Sequence, residues 1–226
     1  MTQDEAKHLV AKRAAEYVKD GMVVGLGTGT TATMFIHELA ARKLAIRCVA
    51  SSDASHELAQ QLGMQVATLA ELPELDLYID GADEIAQYDS TLNLIKGGGG
   101  ALLREKIVCS AAKEFIVVAD STKVVDHLGR YPLPVEVVPM AARLIQPKLA
   151  DLGIHPQLRQ KRDGSGPFLT DEQNYIIDCA CGAIVEPESL AAELRSIIGV
   201  VEHGLFLGRA SLALVAGDDG VTELRP

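Results

Sequence analysis

The chain contains no tryptophan, and only five Tyr and four Phe are spread through its 226 residues. A surface that stacks nucleobases needs aromatic platforms, so that function is disfavoured. Basic clusters are also missing, and the net charge is −10. Nucleic-acid surfaces concentrate Lys and Arg, so no nucleic-acid partner is expected. No run of about 18 apolar residues occurs, which argues against a membrane span. The opening MTQDEAKHLV lacks the basic-then-apolar layout of a secretory signal, and a cytoplasmic location is the expectation.

Cysteine is sparse too. Cys48, Cys109, Cys179 and Cys181 form no paired C-x-x-C set. Cys179 and Cys181 share one face of an alternating strand with Tyr175 and Ile177, so buried thiols are the better reading. Six histidines are scattered without ligand spacing, and no metal is assigned. What remains is ordinary for a globular enzyme: 48% hydrophobic and 23% charged residues.

The order of elements carries the fold. Thr2-Gln-Asp-Glu5 reads as a capping box opening a helix with Leu9, Val10, Ala14, Tyr17 and Val18 at helical spacing. Gly21 ends it, and residues 22–26 read as a buried strand. The loop 27–31 leads to a second helix with Phe35, Ile36, Leu39 and Ala40 facing inward. Strands at 46–50, 66–69, 75–80 and 115–120 alternate with helices at 54–62 and 102–112. That predicts an α/β fold, a Rossmann-like parallel sheet with helices on both faces.

From about residue 130 the order changes. Strand 134–138, helix 140–152, strands 155–161 and 174–181, helix 187–198 and a strand from Val200 spell βαββαβ. This is the ferredoxin-like pattern, a smaller α+β domain. Pro147 is expected to kink or split its helix. Residues 162–168 read as an exposed turn, and 212–216 return to the first sheet. The expected division is 1–129 with 206–226 as the catalytic domain and 130–205 as the smaller one.

Three loops carry the chemistry. Gly25 to Thr31, GLGTGTT, lies between strand and helix, where backbone N–H groups attract anions. It is neither a P-loop nor G-x-G-x-x-G. Against an ordinary glycine-rich turn, the neighbouring loops favour phosphate binding. Asp80 and Asp83 bracket Gly81-Ala82 at a strand end; a cap or Asx turn is the bland reading of either alone. Two carboxylates this close would push their pKa values apart. Lys96 precedes four glycines, Gly97 to Gly100, which are costly to order unless backbone must closely approach a bound molecule. Glu105 follows in the next helix. Leu103 and Ile107 are expected to mark that helix's buried stripe, leaving Glu105 off it. Spacing alone would make Glu105 a surface residue between Arg104 and Lys106; the glycine run promotes it to candidate base.

Six blocks in chain order, GLGTGTT, SSDAS (51–55), DGADE, KGGGG…REK, VVADSTK (117–123) and PLPVEVVPMA (132–141), closely resemble ribose-5-phosphate isomerases of the A type. The resemblance spans nearly the whole chain, including GLF near Leu205. It implies metal-free, cofactor-free interconversion of D-ribose 5-phosphate and D-ribulose 5-phosphate through a cis-enediolate, in a homodimer. By that resemblance Glu105 is the general base, with Asp80, Asp83 and Lys96 assisting. Thr28, Gly29, Thr30, Thr31, Asp80, Gly81, Ala82, Asp83, Lys96, Gly97, Gly98, Gly99 and Lys123 would contact the sugar phosphate. Gly100 stands where alanine is expected, and 162–168 is a longer hairpin than in shorter members; neither is expected to touch the chemistry. Two other classes compete. One is a sugar-phosphate sensor without turnover, the other a nucleotide- or CoA-using transferase with Glu105 as covalent nucleophile.

Overall fold

Thr2 accepts a hydrogen bond from Glu5 N at 3.3 Å while Glu5 Oε2 accepts from Thr2 N at 2.7 Å, so the first helix starts at a complete capping box. The structure, a computed structural model, describes residues 1–88 and 90–226. The first half of the chain runs α1 (Gln3–Ala15), β1 (Val23–Leu26), α2 (Thr30–Ala41), β2 (Arg47–Ala50), α3 (Asp53–Gln61), β3 (Gln65–Val66) and β4 (Leu75–Gly81). Next come β5 (Glu84–Tyr88), β6 (Thr91–Ile95), α4 (Leu102–Ala111) and β7 (Ala112–Asp120). The remainder is β8 (Leu133–Val137), α5 (Ala142–Asp151), β9 (His155–Leu158), β10 (Tyr175–Ala180), α6 (Pro187–Ser196), β11 (Val200–His203), β12 (Leu205–Leu207), β13 (Leu212–Gly217) and β14 (Gly220–Leu224).

The main sheet has the order β14-β13-β7-β4-β1-β2-β3, parallel throughout except for the β13–β14 hairpin. Its inner strands β13, β7, β4 and β1 are largely buried on both faces, as a doubly wound sheet requires, while the edge strands β14 and β3 are not. Along β7, Ile116 and Val118 pack beneath α1 and α2, while Phe115, Val117 and Ala119 face α4 and the β5–β6 hairpin. The α1 face is built from small residues, Ala6, Val10, Ala11, Ala14 and Ala15, whereas Leu9, expected inside, is exposed. Ala40 is only half-buried beside Phe35, Ile36 and Leu39.

The second sheet has the order β11-β8-β10-β9 with every neighbouring pair antiparallel, the ferredoxin-like arrangement. Its strands β9 and β10 are shorter than the sequence suggests, and α5 runs continuously through Pro147. No strand is expected from sequence between Asp80 and Leu102, yet the structure places β5 and β6 there. With β12 they form a third, antiparallel sheet. Ile85, Leu92, Leu94 and Phe206 pack into the core of the main sheet, while Ala86, Ile95 and Leu205 join the core of the second. The alternation Leu92, Leu94 against Thr91, Asn93 is the signal for β6; Asn93 is nonetheless buried, where it accepts from Gly208 N and donates to Thr91. Among the described residues no helix is long and apolar enough to cross a membrane.

Candidate active site

In the main sheet the chain builds outward from β1 to β2 and β3, then returns to place β4 on the other side of β1. Loops leaving β1 and β4 therefore diverge, and a crevice opens at their carboxyl ends. The 28–31 and 81–83 segments line this crevice, and the turn after β6 closes it. Gly27 is required by contact: a β-carbon there would overlap the Asp80 carboxylate.

Asp80 is fully buried. Its Oδ1 accepts from Thr28 N at 2.9 Å and Gly81 N at 2.7 Å. Its Oδ2 accepts from Lys96 Nζ at 2.8 Å and from the Tyr78 hydroxyl. Tyr78 is itself stacked on Phe115. Lys96 Nζ also donates to Gly81 O at 2.6 Å and sits over the Phe206 ring. Its third near neighbour is Glu105 Oε2 at 3.3 Å, within ion-pair range but without hydrogen-bond alignment. That oxygen is buried and makes no hydrogen bond. Asp83 is held apart from Asp80 and accepts from Gly98 N at 2.7 Å.

Glu105 is only 3% exposed, because α4 buries Leu102, Glu105, Val108 and Cys109. The expected stripe is thus displaced: Ile107 is exposed and Leu103 half-buried. Glu105 belongs to the buried face, where the helix meets the cleft. Burial pushes its carboxyl up to about 8, reinforced by Asp80 and Asp83 and opposed by Lys96. Burial alone would lower Lys96, but Asp80 and Glu105 outweigh it and hold the ammonium raised. Burial likewise raises Asp83, against the pull of the Gly98 N–H.

The cleft, about 550 Å³ including its open mouth, is lined by Thr28, Gly29, Thr30, Thr31, Gly81, Ala82, Asp83, Lys96, Gly97, Gly98, Gly99, Glu105 and Lys123. These residues come from five separate segments. Asp80 is not among them; it lies beneath the lining, hydrogen-bonded to Lys96 and two backbone amides. Two lining residues carry no sequence signal, Gln3 and Lys7 of α1. They stand one helical turn apart, and only the docking of α1 on the sheet brings them here. Lys7, Lys96 and Lys123 bring three lysines into the cleft of an acidic protein, beside the carboxyl groups of Asp83 and Glu105. The first turn of α2 adds amides with no acidic residue and no side-chain cap to satisfy them.

The hairpin after β9, expected to lie apart from the chemistry, reaches the glycine run. Gly100 has φ +88°, and a β-carbon on it would meet the Phe168 ring at 2.5 Å. Glycine in place of alanine there makes room for Phe168. The thiols are quiet: Cys48, Cys109 and Cys179 are buried and Cys181 half-buried, and burial pushes Cys48 up to about 12.

A buried carboxylate of raised pKa, one oxygen unbonded, facing a fixed ammonium at the switch point of a doubly wound sheet defines a proton-transfer enzyme for small anionic substrates. The family profile of ribose 5-phosphate isomerase A (phosphoriboisomerase A) matches residues 47–220. The chain is 49% identical to ribose-5-phosphate isomerase A of Synechococcus sp. over 98% of this chain and 97% of the relative. Among solved structures, ribose 5-phosphate isomerase A from Methanocaldococcus jannaschii superposes with a TM-score of 0.94 at 40% identity over the full length of both chains. A D-ribose-5-phosphate isomerase in complex with phospho-erythronic acid gives 0.96 at 37%, again with full coverage of both. The chain belongs to the ribose-5-phosphate isomerase A family. Its reaction is the aldose–ketose interconversion of D-ribose 5-phosphate and D-ribulose 5-phosphate, a step of the pentose phosphate pathway.

Proposed function

We propose that Glu105 is the base that carries a proton between C2 and C1 of the open-chain sugar phosphate. Oε2 of Glu105 carries this reading: it is buried, unbonded and 3.3 Å from an ammonium. Removal of the C2 proton sends electron density onto O1, giving a cis-enediolate, and return of that proton to C1 completes the transfer. Lys96 and the glycine amides face the developing charge, a preorganised stabilisation worth roughly 3–4 kcal/mol per donor. Asp83 passes the hydroxyl proton between O1 and O2. Asp80 holds Lys96 and the Thr28 and Gly81 amides in place.

At the far end, the phosphate sits on the first turn of α2 with Thr30 and Thr31, flanked by Lys7 and Lys123. Phospho-erythronic acid, bound in the structural relative, is a phosphorylated chain ending in a carboxylate, and so resembles the planar enediolate end. The test is Glu105→Gln. It is expected to bind sugar phosphate and lose at least about a thousandfold in turnover and in exchange of the C2 hydrogen with solvent. Near-parental turnover would remove Glu105 from the mechanism.

A homodimer fits an apolar surface formed by Val138, Met140 and Ile198, which the Val138 N–H bond to Gly199 O draws together. Residues 1–129 with 206–226 act as the catalytic unit and 130–205 as a smaller one; a largely separate core around Val135, Ile145, Ile177 and Leu194 supports that division. Work in the cytoplasm fits a phosphorylated substrate.

A further inference from the structure

The glycine run after Lys96 is a β-turn, closed by Gly100 N donating to Gly97 O at 2.9 Å. Its central peptide, Gly98–Gly99, is the one part that the closing bond does not restrain. Turns of types I and II differ mainly by a flip of this unit, and the flipped form needs φ above zero at the third residue. Glycine at both central positions makes that flip sterically free. Here neither Gly98 nor Gly99 has positive φ, so the unflipped form is present.

Arg159, just beyond β9 in the second sheet, reaches across to this turn. Its Nη1 donates to Gly97 O at 3.1 Å and Gly98 O at 3.2 Å. The guanidinium is itself fixed by a two-pronged pair with Asp178, at 2.8 and 2.5 Å, and lies over the Phe168 ring. In a planar trans peptide, C=O and N–H point in opposite directions. A guanidinium holding the Gly98 carbonyl therefore aims the Gly99 N–H the other way. That N–H has no hydrogen-bond partner among the described residues, and Gly99 lines the cleft.

We infer that Arg159, aligned by Asp178, is a positioning residue that pins the central peptide of the glycine turn so that the Gly99 amide donates into the cleft. This rests on the reading above, in which glycine amides stabilise the enediolate oxygen. Arg suits the task, because its rigid fork engages two acceptors while a carboxylate holds its other edge.

The test compares Arg159→Met and the charge-balanced pair Arg159→Met with Asp178→Asn, which leaves no lone carboxylate should the single variant fold poorly. Both are expected to lose about 10- to 100-fold in kcat, since a misaimed donor acts at the transition state. KM and the inhibition constant of inorganic phosphate are expected to stay within about twofold, because the phosphate locus on α2 is untouched. An unchanged kcat in the folded double variant overturns the inference. So does a matched loss in kcat and phosphate affinity, which would make Arg159 a general prop. Glu105→Gln, run alongside, separates the two readings: its loss of turnover with an unaffected Arg159 variant defeats only the positioning role.

Discussion

Replacing Asp80 with asparagine removes one negative charge and almost no volume from the most enclosed ion pair in the protein. Asp80 is 0% exposed and Lys96 2% exposed, so water cannot take over the solvation of either group. All four bonds to the carboxylate come from donors: two backbone N–H groups, the Lys96 ammonium and the Tyr78 hydroxyl. Turned one way, the asparagine NH2 faces the Thr28 and Gly81 N–H groups; turned the other, it faces the Lys96 ammonium. Breaking a buried pair by removing one partner costs roughly 3–5 kcal/mol. For a chain of 226 residues, with about 2.1 cal/mol/K of unfolding entropy per residue, that is a fall in Tm of about 6–10 °C. Thermal and urea unfolding at neutral pH measure it. Adding Lys96→Met to Asp80→Asn removes the orphaned ammonium and is expected to recover part of the loss while leaving turnover abolished. If Asp80→Asn alone lay within about 0.5 kcal/mol of the parent, as a surface exchange does, the buried-pair argument would be wrong.

Glu105 supplies a pH prediction of definite sign. Its carboxyl is raised from 4.5 to about 8 in the fold, so kcat/KM is expected to climb as pH rises through about 8, when the base ionises. The folded form keeps a proton that the unfolded chain has lost, so this group subtracts stability as pH rises from about 4.5 to about 8. Glu105→Gln should match the parent near the lower pH and become progressively the more stable in urea at the higher; a constant difference would refute the assignment. Lys7→Met and Lys123→Met should each raise KM about tenfold with kcat little changed, the mark of binding shared by substrate and transition state. A selective fall in kcat would move that lysine to the reacting end. Gly98→Ala should lose activity, because its β-carbon would lie 2.5 Å from Asp83 Oδ1 and 2.6 Å from the Tyr131 hydroxyl. Gly99→Ala meets only Thr28 at 3.8 Å, so thermal unfolding should show the smaller penalty there.

The sequence alone determined the alternation of β1, α2, β2 and α3, because apolar period and glycine stops are local properties. It also determined the βαββαβ order of the second sheet, and the three loops that meet at the cleft, since close backbone approach leaves few residue types. What it could not determine depends on neighbours distant in the chain. Leu103 and Ile107 are as apolar as Leu102 and Val108, and only the docking of α4 selects the face that carries Glu105 inward. Gln3 and Lys7 enter the cleft because α1 packs across α2, β7 and β13. Asp80 and Asp83, three positions apart in sequence, part company because one points into the protein toward Lys96 and the other toward Gly98. Arg159 reaches the glycine turn from another sheet, 62 positions along the chain from Gly97. Burial, and with it the raised carboxyl of Glu105, is a property of packed surroundings; a sequence names the titrating group, and the fold decides how much water it keeps.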